Sequence, residues 1–299
     1  MNELSSQEKR FRYDCAGKWY KGCVHIHTNL SDGRLTPDEV ASFYAQGGYD
    51  FISFTDHRVP FVGDDSNKKW PLMVLDGIEL DGVDDHGSLY HMVCLGGVEN
   101  ITKEMKLMEA LESARSKGSF VIWAHPYASG NTVEDGIRHM FDGVEIYNSS
   151  ADMVFGRGFS SYHWDATLLR QPNILAFATD DSHFEKGAPA EKGGWIMVNA
   201  PELSRKAIMN SIRKGNFYSS NGPAFKSIVI EEGNRIVAEM SPVVHTRLIG
   251  PWGGQKYKGA ADGEPVTQVR FRLPDDWAFA RIEIEDANGK IAWSNPLFL

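Results

Sequence analysis

The chain has 299 residues, 42% hydrophobic and 24% charged, the balance of a folded globular protein with room for one large domain and a small appendage. Its formal charge of −9 argues against a general nucleic-acid backbone binder and leaves room only for a local basic pocket. No apolar run approaches the roughly 20 residues of a membrane helix, MNELSSQEKRFRYD lacks the apolar core of a signal peptide, and Cys15, Cys23 and Cys94 form no CxxC, so the expectation is a cytoplasmic protein with no membrane partner and no stable nucleic-acid partner, its thiols buried or incidental.

From about 18 to 220, short β-like runs alternate with helix-like stretches, the pattern of an α/β domain. Strands are expected at 22–27, 51–55, 73–79, 91–96, 119–124, 143–147 and 174–179. Between them, TPDEVASFYAQGG offers Thr36 as N-cap, Pro37 at the first helical position and Gly47-Gly48 as a stop. ITKEMKLMEALESARSKG spaces Met105, Met108, Leu111 and Ala114 helically, and further helices are expected at about 161–170 and 204–215. Seven strands so arranged suggest a seven-stranded relative of the (β/α) barrel, with an open parallel sheet as the alternative. After Asn221-Gly222-Pro223 the pattern turns β-like throughout. FKSIVIEEGNRIVAEM reads as a hairpin with Glu232-Gly233-Asn234 at its turn, and VVHTRLIG, VTQVRFRL, ARIEIED and KIAWSN alternate apolar and polar residues. The expected division is 1–222 for the α/β domain and 223–299 for a small β-sandwich.

Histidines and acids gather at the ends of these apolar runs. His25 and His27 stand two apart on one strand face and can grip one metal together, with Asp32 following in the run SDG and Gly33 permitting the turn. His57 closes FISFTDH as a ligand, and Asp56 beside it is expected to orient an imidazole or move protons. Glu79 places a carboxylate at a strand end, costly unless paired or metal-bound, and is the candidate bridge between two cations. His91 precedes MVCLG and is favoured over His86 as a ligand because the attached run would hold it rigid. His125 closes VIWAHPY, where Pro126 is expected to stop the strand. Asp181 and His183 repeat the two-apart spacing, which leaves Asp180 as a structural residue. Arg58, and Asn148 after GVEIY, are candidates to meet an anionic substrate, whereas Lys68-Lys69, Lys186 and Lys192 read as solvated. His139, His163 and His245 have no such context. Ligands of this kind and number suit a cluster of divalent metals and point to metal-assisted hydrolysis. Neither a GxSxG element nor a P-loop spacing is present.

HIHTNLSDG, FTDH, the Glu79 region with HMVCLG, WAHP and ATDDSH, in that order, resemble the PHP (polymerase and histidinol phosphatase) family of metal-dependent phosphoesterases over about 20–220. GGWIMVNAPELSRKAIMNSIRKGNFYSSNGP is similar to the branch that includes carbaryl-hydrolase-like enzymes. The resemblance implies a distorted seven-stranded (β/α) barrel with two or three zinc, manganese or iron ions acting on a small phosphorylated substrate. It also implies a ligand grouping: His25, His27, Glu79 and Asp181 for one metal, Glu79, His91 and His125 for a second, Asp32, His57 and His183 for a third. Two alternatives stand beside it. One is the same cluster acting on a carbamate, ester or amide. The other is a binding module whose β domain recognises a glycan, lipid or protein, with Trp252, Trp277 and Trp293 as a stacking platform or, more simply, as core.

Overall fold

The computed structural model describes residues 13, 16–63, 69–231, 234–261 and 263–297. Cys15, Lys68, the expected turn residues Glu232-Gly233 and the N-terminal segment up to Arg12 lie outside them. The strands of the first three-quarters are β1 (Lys18–Cys23), β2 (Phe51–Ser53), β3 (Met73–Leu75), β4 (Gly77–Val83), β5 (Leu89–Leu95), β6 (Phe120–Trp123), β7 (Gly143–Asn148), β8 (Leu175–Thr179), β9 (Trp195–Ala200) and β10 (Phe217–Ser220). Then follow β11 (Phe225–Glu231), β12 (Arg235–Val243), β13 (His245–Ile249), β14 (Gln255–Gly259), β15 (Val266–Arg272), β16 (Arg281–Glu285) and β17 (Ile291–Ser294). The α-helices are α1 (Pro37–Gln46), α2 (Leu107–Ser116), α3 (Pro126–Ser129), α4 (Val133–His139), α5 (Ser149–Phe155), α6 (Ser161–Leu168) and α7 (Arg205–Arg213).

The local signals work where the sequence placed them. Thr36 caps α1 by accepting from the Glu39 N–H, and the Glu39 carboxylate accepts from the Thr36 N–H in return, with Pro37 at the first turn. Pro126, expected only to end a strand, instead opens α3, where its missing N–H leaves no bond unmade. The expected strand 73–79 is two strands, and β9, β10 and β14 went unforeseen, as did the short helices α3, α4 and α5.

The distorted seven-stranded (β/α) barrel expected from the sequence is not shown by the strand pairing. The strands lie in a nine-stranded sheet ordered β14-β13-β16-β17-β10-β9-β1-β2-β3, a five-stranded sheet ordered β4-β5-β6-β7-β8, and a three-stranded sheet ordered β11-β12-β15. Most pairings are antiparallel, and seven α-helices occur among the described residues. The reason is local. A tight turn joins β4 to β5, which forces those strands antiparallel, and β5 then pairs antiparallel with β6. Parallel pairing survives in β1-β2-β3 and in β6-β7-β8. The architecture is mixed α/β with one large sheet.

Two isolated parallel bridges link the nine-stranded sheet to the five-stranded one. Ile26 pairs with Ser182, and His57 pairs with Glu79, so the ends of β1 and β2 are stitched to the segment after β8 and to β4. The His27 N–H donates to the Ser182 carbonyl at 3.0 Å and the Asp181 N–H to the His25 carbonyl at 2.9 Å. The two sheets therefore meet at one rim.

Residues beyond 223 are β-structured, but four of their strands continue the large sheet. β17 pairs with β10, whose residues are all buried and which needs a partner on each edge. One apolar cluster runs from Val24, Phe51 and Phe120 through Phe217 and Phe225 to Ile236, Phe271 and Ile282. Arg281, 2% exposed, makes a bidentate pair with Asp165 of α6 at 2.7 and 2.8 Å. Trp293 is core, Trp277 packs on Gly250 and Gly254, and Trp252 is exposed. Among the described residues no helix is long and apolar enough to cross a membrane.

Candidate metal centre

At the shared rim a single carboxylate gathers five imidazoles. Glu79 is fully buried on β4, and its Oε1 lies 3.0 Å from His91 Nδ1, 3.3 Å from His25 Nε2 and 3.5 Å from His125 Nε2. Its Oε2 lies 3.2 Å from both His27 Nε2 and His57 Nδ1. Asp181 adds a second acid: Oδ1 sits 3.1 Å from His27 Nε2 and 3.2 Å from His25 Nε2, and Oδ2 3.7 Å from His125 Nε2. The two Nε2 atoms of His25 and His27 are themselves 3.2 Å apart, as the two-apart spacing requires. Asp32, half exposed, reaches His27 Nδ1 at 3.3 Å, His183 Nε2 at 3.3 Å and His57 Nε2 at 3.7 Å.

All nine residues singled out as ligands from sequence come together here. Donor atoms of His25, His27, Glu79 and Asp181 lie within 4.8 Å of one another, as do those of His27, Asp32, His57 and His183, and those of His57, Glu79 and His91. His27, His57 and Glu79 thus each take part in two groups, and His125 stands outside them, 3.5 Å from Glu79 and 3.7 Å from Asp181. His86 sits in the exposed turn after β4, where its N–H donates to Asp84.

The groups behind these side chains decide which atom each presents. His25 Nδ1–H donates to Glu145 Oε1 at 2.6 Å, so its Nε2 lone pair faces Glu79 and Asp181. His183 Nδ1–H donates to the Asp181 carbonyl at 2.8 Å, turning Nε2 to Asp32. Glu145, unforeseen in the sequence, is fully buried on β7 and also accepts from the His125 N–H, Thr179 Oγ1–H and Asn148 Nδ2–H. Asn148 donates to Asp181 Oδ2 as well and caps α5. Asp180 faces away, as its spacing foretold, accepting from the Tyr44 hydroxyl and the Lys192 and Gly194 N–H groups, with burial pushing its pKa up to about 6.

Asp56 and Arg58 have definite contacts. Asp56 is buried and accepts from the Thr28 N–H at 2.8 Å, the Thr28 hydroxyl at 2.8 Å and the Ser31 hydroxyl at 2.7 Å, fixing the loop that carries Asp32. Arg58 donates to Asp81 and to the Met105 carbonyl, and Asp81 in turn stands 3.5 Å from His57 Nδ1.

The charges are strongly coupled. Burial opposes a proton on His25, yet Asp181, Glu79 and Glu145 outweigh it and hold that proton well above the usual histidine range; His27 is raised likewise against burial by Asp181, Asp32 and Glu79. Burial alone would raise Glu79, but His25 and His125 keep it well below the usual carboxylate range. Two atoms show what the arrangement suits: His57 Nδ1 and Glu79 Oε2 are buried, 3.2 Å apart, and neither makes a hydrogen bond. Atoms that converge without aligning on each other are placed as ligands of a common cation would be.

The chain is thus of mixed α/β architecture, with three groups of side chains at one rim that could hold a metal ion. No protein-family model and no curated protein matches the sequence. The fold is found again in a two-domain protein from Bacteroides vulgatus containing a predicted PHP-like metal-dependent phosphoesterase, with TM-score 0.55 and 16% identity over 91% of each chain. A candidate metal-dependent phosphoesterase from Bifidobacterium adolescentis (TM-score 0.42, 17% identity) covers 64% of this chain and 94% of its own. An amidohydrolase from Chromobacterium violaceum with bound sulfate and no metal (TM-score 0.39, 14% identity) covers 66% and 96%. The first of these is a likeness of fold.

Proposed function

We propose that the chain is a metal-dependent hydrolase of small phosphate esters, with two or three zinc, manganese or iron ions held by His25, His27, Asp32, His57, Glu79, His91, His125, Asp181 and His183. The observation that carries this is Glu79: one buried carboxylate faces five imidazole nitrogens within 3.5 Å, and one of its oxygens has no hydrogen bond. Divalent cations bound there supply Lewis acidity, offsetting charge on phosphate oxygens and lowering the pKa of water towards about 7.

The chain's own residues prepare that chemistry. Glu145 orients His25 and the backbone of His125, so that ligand nitrogens need no rearrangement. Asp56 serves by holding Thr28 and Ser31, and Arg58 by holding Asp81 beside His57. Asp81, partly exposed and outside the proposed ligand set, is the carboxylate at the rim that can take a proton to solvent.

The test is elemental analysis of the purified protein followed by turnover of aryl phosphates, phosphodiesters and aryl carbamates. Divalent metal at two or three per chain with phosphate release is the expected result. A protein that takes up no divalent ion would end this reading, and turnover of carbamates alone would replace the phosphoester by an acyl substrate.

A further inference from the structure

We propose that Tyr127 and Arg157 form a leaving-group subsite beside the centre, selecting phosphoesters whose alcohol is an aromatic ring carrying a negative charge. This rests on the phosphoesterase reading and names the part of the substrate that the cluster itself does not see. Tyr127 lies two residues past His125, in the short helix α3, and the residue is 47% exposed. The Arg157 guanidinium stands over that ring, 5.6 Å from its centroid. The loop that carries Arg157 follows α5, whose N-cap Asn148 contacts Asp181, and Tyr127 follows His125 by two residues, so a short stretch of chain links each of them to the cluster.

The rim is electrostatically lopsided. On the other side Asp32, Asp81 and Glu185 are at least partly exposed, and the arginines there are spoken for: Arg34 pairs with Glu185 and Arg58 with Asp81. Among the described residues no carboxylate pairs with Arg157. A leaving group with its own negative charge is repelled by the acidic side and accepted by Arg157, whose planar guanidinium on a phenol ring is also a stacking surface for a flat group. Tyr127 is held for this task. Its N–H donates to the Ser160 hydroxyl, and its ring adjoins His163, which is anchored through Nε2 to the Asn131 carbonyl. Tyr162, itself exposed, packs edge-on against the same His163 ring, with centroids 5.9 Å apart.

Phosphonates test the subsite without any chemical step, so the acidity of a leaving alcohol does not enter. Calorimetry on the full-length, manganese-loaded protein compares 4-carboxyphenylphosphonate with methylphosphonate. The aryl compound is expected to bind about tenfold tighter, the size of one stacked ring with a charged contact. Tyr127→Ala and Arg157→Ala should each shrink that ratio to about twofold, while Tyr127→Phe, which keeps the ring, should retain it. Equal binding of the two phosphonates by the parent protein, or an undiminished ratio in both alanine variants, overturns the subsite and leaves the hydrolase reading standing. Failure to load manganese or to bind either phosphonate brings down both.

Discussion

Glu79 shows how a residue can be legible in sequence while its reason is not. A lone acid after MVLDGI stands out, but five imidazoles meeting it is a fact of packing. Replacing it, as Glu79→Gln, removes the charge that neutral ligands cannot supply, and at least one divalent ion per chain should be lost on elemental analysis. Glu145 escaped notice because its neighbours in GVEIYN are apolar or uncharged; the usable signal was a carboxylate inside a strand buried along its whole length, which must have partners. Glu145→Gln should weaken metal affinity about 10- to 100-fold while leaving the ligands in place, measured by competition with a chelating dye. The protons on His25 and His27 predict the pH behaviour. With their folded pKa values raised, a chelator-stripped sample has their stabilisation in full below the unfolded histidine pKa and loses it as pH rises, leaving Glu79 and Asp181 uncompensated. Divalent cations replace those protons, so the gain in Tm on adding manganese should grow from about pH 6 to about pH 9. A gain that shrinks over that range would contradict this balance.

At the level of elements, loops and not strands set the precision of the centre. Gly33 was expected to be needed for its backbone freedom, but its φ is not positive; a Cβ there would sit 2.7 Å from the carbonyl carbon and oxygen of His27. The requirement is closeness of two backbones. Gly33→Ala therefore replaces no ligand and presses only on the backbone of His27, and it should still lower metal occupancy, because Asp32 and His27 must separate. The strand pattern misled where one residue, Asp76, breaks the run 73–79 between Leu75 and Gly77, and a Cβ on Gly77 would meet Ser53 Oγ at 2.2 Å. Short helices such as α3 and α5 were hidden because one or two turns carry too little periodicity to read. Asp165 on α6 and Arg281 on β16 are 116 residues apart and look like ordinary surface charges in the sequence. Arg281→Ala should cost about 2 kcal/mol or more in urea unfolding, since it strips the bidentate partner from Asp165 and leaves a hole beside Trp164.

For the whole molecule, the centre's scaffold reaches further along the chain than the composition suggests. The sequence changes character at Pro223, yet hydrogen bonds and the apolar cluster cross that point through β10 and β17. Removing residues 223–299 would bare one edge of β10 and delete Trp293 from the core. Such a truncation is expected to be recovered as aggregate, or to lose cooperative thermal unfolding by circular dichroism, before any comparison of turnover is possible. A soluble truncated protein with an unchanged melting transition would show that the continuous sheet contributes little.

Residue chemistry and short-range order were readable along the chain: the nine candidate ligands, the capped helix α1 and the β character of the last quarter all follow from side-chain type and spacing within a dozen residues. Strand direction, the joining of the two larger sheets at Ile26–Ser182 and His57–Glu79, and the buried support from Glu145 came only from folding. Those features are contacts between segments tens to more than a hundred residues apart, and a local pattern holds no information about which distant edge a strand will meet.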